Sequence, residues 1–290
     1  MRHPEPLMHQ LNKDELDQVL STFEIPTCPA MVLEVMQEAR KDDPDIRKLA
    51  AAIAADVGMS AVTLKMANSA LFRTGAPINN VHRALDRLGM RNVLSVVSGV
   101  ALRSSMLGLP PAFVEKFWMR NSIMAQSAGL LARRLYGIPA DAAYTYALFH
   151  DAAIPLMLKR FPNYPQLIAE AAARGEGRIQ AERQLPCTHP IIGSLLVRNW
   201  GLPSDIALAI RFHHEADVFT LTEDTLPGES LSLISLGYVI EYVMAELMPD
   251  EECEVSTEAF EHALRHLGLP LEDQDVISDL VRQVMSDGAH

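Results

Sequence analysis

Apolar positions return with a helical period along almost the whole chain. Between residues 31 and 39 the apolar side chains recur every three or four positions and share one face, and residues 59–71 repeat this stripe. Residues 231–247 form a further, strongly apolar helical stretch. No alternating strand pattern of convincing length, heptad run or clear repeat occurs. The pattern predicts an all-α protein built as a multi-helix bundle.

Acidic residues and prolines divide this pattern into elements. Asp42 and Asp45 are among the candidates to cap a helix at residues 46–55. Leu109-Pro110-Pro111 is the clearest internal break, and we place a subdomain boundary there. Downstream of the break, the pattern predicts a long helix at residues 112–136.

The composition supports helix packing and narrows the range of partners. Aromatic residues make up only 6% of the chain and methionine occurs 14 times, which favours aliphatic helix packing over a β-sandwich. The formal net charge is −12, whereas proteins that bind nucleic acid or anionic membranes need a basic face. We therefore expect neither a nucleic-acid partner nor a membrane partner.

Cysteine use and hydropathy indicate the compartment. The three cysteines are odd in number and lack the spacing of a metal-binding motif, which favours a reduced, cytoplasmic protein. The N-terminus has no apolar core of the kind that a signal peptide needs. Residues 93–102 are strongly apolar but shorter than the about 20 residues that a membrane-spanning helix requires. The expected location is the cytoplasm.

The main candidate chemistry lies in three groups of histidine. His150-Asp151 lies in an apolar helical stretch and offers one nitrogen and one oxygen ligand, while His189 and the pair His213-His214 follow later in the chain. His189 is expected to begin one helix and His213-His214 to end another. Pro155, one turn after the first pair, should kink or end the helix that carries it. These five residues are the candidate ligands of a divalent metal.

Asn68-Ser69 is a second candidate site, for interaction with a partner. Asn and Ser side chains also bond backbone groups at turns, so a structural role for the pair stays open. No Gly-rich phosphate loop, nucleophile elbow or paired-carboxylate motif occurs elsewhere in the sequence.

A series of short segments together resembles the HDOD domain family, the HD-related output domains of bacterial signalling proteins. The segments, in chain order, are Ile25-Pro26-Thr27-Cys28-Pro29, Ala54-Ala55-Asp56, Lys65-Met66-Ala67-Asn68-Ser69-Ala70-Leu71-Phe72, Ala84-Leu85-Asp86-Arg87-Leu88-Gly89, Phe117-Trp118, Leu148-Phe149-His150-Asp151, His189-Pro190-Ile191-Ile192-Gly193, Trp200-Gly201-Leu202-Pro203 and Ala209-Ile210-Arg211-Phe212-His213-His214. The resemblance implies an α-helical bundle distantly related to the HD and HD-GYP metal-dependent phosphohydrolases.

The resemblance also implies a domain organisation. We expect a leader helix at residues 1–18 and an HDOD domain at residues 19–215. Within that domain, an N-terminal helical subdomain at 19–109 would pack on an HD-like subdomain at 110–215. A C-terminal helical extension at 216–290 would complete the HD-like bundle.

Two positions depart from the pattern of the catalytic HD relatives. Those relatives have a further histidine shortly after the position of Phe117-Trp118, where this chain has Asn121. They also have a final aspartate, where this chain has Tyr238 and no aspartate between residues 231 and 248. An amide is a weak metal ligand and a neutral phenol a poor one, so both outer ligands are interpreted as lost.

The resemblance and these departures predict a non-catalytic signal-transduction module, a response-regulator output type of domain. It would act by binding a protein partner or a small ligand, and its metal site would be degenerate. The partner would be a signalling protein of receiver, sensor or cyclase type. His150 and Asp151 would then tie helices together through hydrogen bonds, and no cofactor would be bound.

The alternative is a metal-dependent phosphohydrolase or cyclic-nucleotide phosphodiesterase that uses the five candidate ligands with Fe, Mn, Ni or Zn. A third hypothesis is a ligand sensor that binds a nucleotide without turnover. A pocket lined by these residues and by arginines would favour the sensor.

Overall fold

The computed structural model describes residues 23, 30–39, 41, 43–55, 57–248 and 253–288. Several expectations fall outside the described residues. These are the leader helix at 1–18, the segment 25–29 with Cys28, and the cap candidate Asp42.

The described residues form helices joined by short turns and contain no strand, which confirms the all-α prediction. The α-helices are α1 Ala30–Ala39, α2 Ile46–Ala54, α3 Val57–Ala67, α4 Val81–Leu88, α5 Met90–Ser105, α6 Pro111–Ala132, α7 Ala140–Phe149, α8 Ile154–Arg160, α9 Tyr164–Ala173, α10 Arg178–Glu182, α11 His189–Asn199, α12 Ser204–Phe212, α13 Gly228–Leu247, α14 Thr257–Leu267 and α15 Gln274–Gly288. Short 3-10 helices lie at Val218–Thr220 and Leu271–Asp273.

The second helix begins where its sequence predicts. The carboxylate of Asp45 accepts hydrogen bonds from the backbone N–H groups of Arg47 and Lys48, at 3.0 and 3.2 Å. These N–H groups have no partner inside the helix, so the cap satisfies them. The prediction of an acidic cap is thereby confirmed for Asp45.

The loop between α3 and α4 is closed by Asn68. Its Nδ2 donates to the carbonyl of Ile78 and its Oδ1 accepts from the N–H of the same residue, both at 2.7 Å. Ser69 Oγ donates to the carbonyl of Met66 at 2.8 Å. The structural alternative therefore accounts for both ends of the Asn68 amide, while the interaction role of the pair stays a prediction.

We expect Asn68→Ala to lower the free energy of unfolding by about 1–3 kcal/mol, because two partly buried backbone hydrogen bonds lose their partner. Urea unfolding followed by circular dichroism measures this loss. Asn199→Ala is the matched control, since Asn199 is exposed at the end of α11. Equal stability of the two variants would contradict the closing role of Asn68.

Helix α13 runs through the C-terminal half of the bundle. It packs against α6, α7, α12, α14 and α15. At Gly237 an added Cβ would lie only 2.9 Å from Cε1 of Tyr146, so the glycine permits the close approach of α13 and α7. Helix α13 thus forms part of the interior of the bundle.

One described helix, Gly228–Leu247, is long and apolar enough to cross a membrane, and 67% of its apolar window is buried inside the protein. The bent pair Ile46–Ala54 and Val57–Ala67 passes the same criteria if it is taken as one span.

Helix α6 is shorter than predicted. It ends at Ala132, whereas the apolar pattern suggested residue 136. The chain turns over the next residues, and Gly137 has φ +83°, a left-handed conformation that other residues rarely adopt. The predicted break at residues 109–111 coincides with the start of α6 at Pro111, while the division into two subdomains stays a prediction.

Candidate metal centre

The candidate ligands lie at the ends of three helices that pack together. His189 is the first residue of α11, and His213 directly follows the last residue of α12. Both helix-end predictions are confirmed. Helix α12 packs against α11 and α7, and this arrangement brings the ends of the three helices to one place.

His150 and Asp151 occupy a turn instead of a helix interior. Helix α7 ends at Phe149, and α8 begins at Ile154 with Pro155 in its first turn. Proline has no N–H to donate and fits the first turn of a helix. Pro155 was expected to kink or to end the helix that carries His150-Asp151, and in the structure this helix ends before the pair.

The carboxylate of Asp151 lies at the centre of the cluster. Its Oδ1 is 3.4 Å from His189 Nε2 and 3.8 Å from His213 Nε2, and these two nitrogens are 3.3 Å apart. Together with His214, these residues place one donor atom each within 4.8 Å of one another. His150 lies outside this group of four, with its Nε2 at 3.1 Å from Oδ2 of Asp151 but without hydrogen-bond geometry.

Hydrogen bonds at Nδ1 fix the orientation of three imidazole rings. His150 Nδ1 donates to the carbonyl of Ala147 at 2.8 Å, and His213 Nδ1 donates to the carbonyl of Ile210 at 2.6 Å. His189 Nδ1 donates to a carboxylate oxygen of Glu182 at 2.8 Å. These acceptors carry no hydrogen, so the proton is assigned to Nδ1 and Nε2 faces Asp151. Metal-binding histidines in proteins are oriented in the same way.

The cluster is electrostatically polarised. Burial alone would raise the pKa of Asp151, but the neighbouring imidazoles, His150 first, hold it well below its usual value. Burial lowers the pKa of His213. Burial and the adjacent imidazoles together lower the pKa of His214 well below its ordinary value. Burial by itself would also lower the pKa of His189. Nearby carboxylates outweigh this effect and raise the pKa above its ordinary value. The anionic oxygen of Asp151 thus faces His213 and His214, whose lowered pKa favours the neutral ring, and His189, whose raised pKa favours the protonated ring.

Glu182 supports His189 from behind, and the sequence analysis did not identify it. Its side chain is fully buried and accepts from the N–H of His189 at 2.7 Å as well as from the ring. The hydroxyl of Tyr164 donates to its other oxygen. Three donors satisfy this buried carboxylate, as burial requires. The only indication of Glu182 in the sequence was its position seven residues before His189.

Arg120 and Glu241 form the second unpredicted part of the site. Arg120 Nη1 lies 3.2 Å from Asp151 Oδ2, and Nη2 lies 3.3 Å from Glu241 Oε1. The guanidinium therefore bridges α6, the His-Asp turn and α13. Glu241 lies in the middle of the apolar stretch 231–247 and is buried, so its carboxylate needs a partner, and this was the signal for Glu241.

A short segment before α14 lies against the cluster. Glu254 is nearly buried, and its Oε1 is 3.2 Å from Arg178 Nε while its Oε2 is 3.7 Å from His214 Nδ1. Its backbone N–H donates to Glu241 at 3.4 Å. Burial raises the pKa of Glu254 to about 7, although Arg178 lowers it. The C-terminal part of the chain therefore closes the site on this side.

The two positions that depart from the catalytic pattern have other partners. Asn121 Nδ2 donates to the carbonyl of Phe117 at 3.0 Å, and its buried Oδ1 has no hydrogen-bond partner among the described residues. Tyr238 OH donates to the carbonyl of His213 at 2.7 Å. The tyrosine thus holds the backbone that carries a candidate ligand.

The donor separations fit one divalent ion. With ligands at about 2.1 Å from a metal, the corners of a tetrahedron lie about 3.4 Å apart. The separations of 3.3, 3.4 and 3.8 Å among Asp151 Oδ1, His189 Nε2 and His213 Nε2 lie close to this value. Two imidazole nitrogens at 3.3 Å also require a proton or a cation between them. Asp151, His189, His213 and His214 are therefore chemically suited to hold a divalent metal.

Comparisons with known proteins agree with this fold. The sequence profile of the HDOD domain matches residues 25–216. An uncharacterized protein of Treponema pallidum (strain Nichols) is 25% identical in an alignment of 206 residues, and the match covers 66% of this chain and 38% of that protein. The chain thus spans well under half the length of this curated relative.

Solved structures with the same fold include two full-length matches. One is an HDOD domain protein of unknown function from Geobacter sulfurreducens, with a TM-score of 0.68, 19% identity and coverage of 95% of each chain. The other is from Shewanella amazonensis SB2B and is provisionally described as a metal-dependent phosphohydrolase. Its TM-score is 0.66, with 19% identity and coverage of 97% of this chain and 98% of the other. At this identity the likeness shows the fold.

Proposed function

Because the chain belongs to the HDOD domain family, we propose that it is a signal-transduction module that holds one divalent metal ion and acts by binding a partner, without hydrolysing a phosphoester. Asp151, His189, His213 and His214 would hold the ion. A bound divalent ion would supply positive charge against Asp151, join the ends of three helices and, with an open position, lower the pKa of a water.

The observation that carries the proposal is the bridge formed by Arg120. Two-metal hydrolases clamp the attacking and leaving oxygens between two ions a few ångströms apart. Here Oδ2 of Asp151 faces the guanidinium of Arg120 and Nε2 of His150, and Glu241 is held by the same guanidinium. The two carboxylates that a second cation would need already share one fixed positive charge.

Burial of the cluster supports the same conclusion. The side chain of His189 is fully buried and that of His150 is 2% exposed, while Glu254 covers the side of His214. A phosphodiester substrate would have to displace this segment to reach Asp151. The histidines and aspartate therefore serve the packing of helix ends, and signalling occurs through the surface of the bundle.

The proposed partner is a signalling protein of receiver, sensor or cyclase type in the cytoplasm. The family assignment and the net charge of −12, which disfavours nucleic acid, support this class of partner.

The alternative is a metal-dependent phosphohydrolase, favoured by one carboxylate oxygen and three imidazole nitrogens that lie within 4.8 Å of one another. Metal analysis combined with an activity assay separates the two functions. We expect protein purified without chelator to contain about one divalent ion per chain, as for a complete ligand set. We expect Asp151→Ala to lose this ion, and the metal-loaded protein to leave bis(4-nitrophenyl) phosphate intact.

His82→Ala is the matched control for this experiment, because His82 lies on the surface of α4 and pairs with Asp86. It should retain the metal content of the parent. Turnover that disappears in Asp151→Ala would establish the hydrolase instead. A sub-stoichiometric metal content that is the same in the parent and in Asp151→Ala would contradict the metal site. The residues would then form only a hydrogen-bonded cluster.

A further inference from the structure

A small cavity adjoins the cluster at His214. It has a volume of about 200 Å³ and is lined from three helix ends. Arg183 follows α10, Thr188 precedes α11, and Arg211 and Glu215 lie at the end of α12. Apart from His214, none of these residues belongs to the candidate metal ligands.

Two guanidinium groups on different walls give the cavity its chemical character. Arg211 lies over the ring of Phe212, with its guanidinium carbon 5.3 Å from the ring centroid, and this stacking orients the side chain. Arg183 is more exposed and comes from the opposite element, α10. Guanidinium groups present planar sets of N–H donors that match the oxygens of phosphate.

Thr188 adds a hydroxyl at the same wall. It is the N-cap residue of α11, but its side chain makes no capping bond to the helix. The hydroxyl therefore adds a donor beside the two arginines, at the positive end of an eleven-residue helix.

Glu215 is the one carboxylate that lines the cavity. It is exposed, so its charge is well solvated, but it opposes the binding of an anion. The lining therefore carries two fixed positive charges, on Arg183 and Arg211, against one negative charge on Glu215.

The volume limits what can enter. Pockets that enclose drug-sized ligands measure about 300–1,000 Å³. A cavity of about 200 Å³ holds a small anionic group and leaves the remainder of a ligand outside. A monovalent inorganic anion would use only part of the donors on the three walls.

We infer that this cavity binds the phosphate group of a phosphorylated small ligand and places it beside His214. This site goes beyond the proposed function and does not require the metal, because Arg183, Arg211 and Thr188 supply the contacts. Since His214 also belongs to the candidate metal centre, ligand binding and the packing of the helix ends share one side chain. The module would thus sense a phosphorylated metabolite.

Isothermal titration of the full chain with inorganic phosphate and with phenyl phosphate, in phosphate-free buffer of low ionic strength, tests this site. We expect saturable binding of both compounds. Arg183→Gln and Arg211→Gln should each weaken it by about tenfold or more, as for the loss of a hydrogen bond to a charged group. Glu215→Gln should strengthen it, because the opposing charge is removed.

Arg282→Gln is the control. Arg282 is exposed on α15, pairs with Asp279 on the same helix and does not line the cavity. It should bind phosphate as the parent does. Absence of saturable binding, equal affinity of both arginine variants and the parent, or an equal loss in Arg282→Gln would overturn the inference. Titrations of chelator-treated and metal-loaded protein separate this result from the metal proposal, because phosphate binding is expected in both.

Discussion

Arg120→Ala should lower the free energy of unfolding by about 3–5 kcal/mol, as for the loss of one partner from a buried ion pair. The substitution leaves the carboxylates of Asp151 and Glu241 without their shared cation, at side-chain exposures of 13% and 10%. The destabilisation comes mainly from these two uncompensated charges and less from the lost contacts. Chemical denaturation measures it.

Two further variants isolate this effect. Arg282→Ala removes an arginine from an exposed ion pair and should cost less than about 1 kcal/mol. Arg120→Ala combined with Glu241→Gln should recover part of the stability, because one of the two uncompensated charges is gone. If Arg120→Ala and Arg282→Ala are equally stable, the bridge does not hold the helices together.

Glu182→Gln should weaken metal binding by about 10–100-fold, the usual effect of replacing a group that orients a ligand. Glutamine keeps the size of the side chain but removes the charge that faces His189 Nδ1. One of the three donors to Glu182 would then face the amide N–H₂ group, which cannot accept its hydrogen bond. Because this donor is buried and left without an acceptor, we also expect the free energy of unfolding to fall by about 1–3 kcal/mol. Competition with a chelator measures the affinity.

Glu170→Gln is the control for Glu182, because Glu170 is exposed on α9 and accepts only from Gln166. It should leave metal affinity and stability unchanged. An unchanged affinity in Glu182→Gln would show that the ring of His189 needs no carboxylate behind it, and would count against the assigned orientation of the cluster.

The sequence predicted the fold and the location of the candidate ligands because both depend on local signals. The 3.6-residue period and the cap at Asp45 determine where helices form, and a histidine beside a proline or at a helix end is visible in a single segment. The end of α6 was misplaced, because the turn at Gly137 follows apolar residues that continue the helical pattern.

The partners of the ligands were not predicted, because they come from distant segments. Arg120 lies 31 positions before Asp151 and 121 before Glu241, and no local pattern relates such positions. The position expected for the final aspartate holds Tyr238, and the carboxylate that pairs with Arg120 lies one helical turn later, at Glu241. A charged residue within an apolar helix was the remaining signal in the sequence for such a distant partner, as at Glu241.

The long separations within the cluster also determine when it can form. The bridge from Arg120 to Glu241 closes 121 positions of chain, and helices α7, α11 and α12 must be in place around it. Closing long loops is entropically costly and is repaid only when many contacts form together. We therefore expect the centre to assemble late in folding, and metal uptake would then mark the arrival of the chain at its native state.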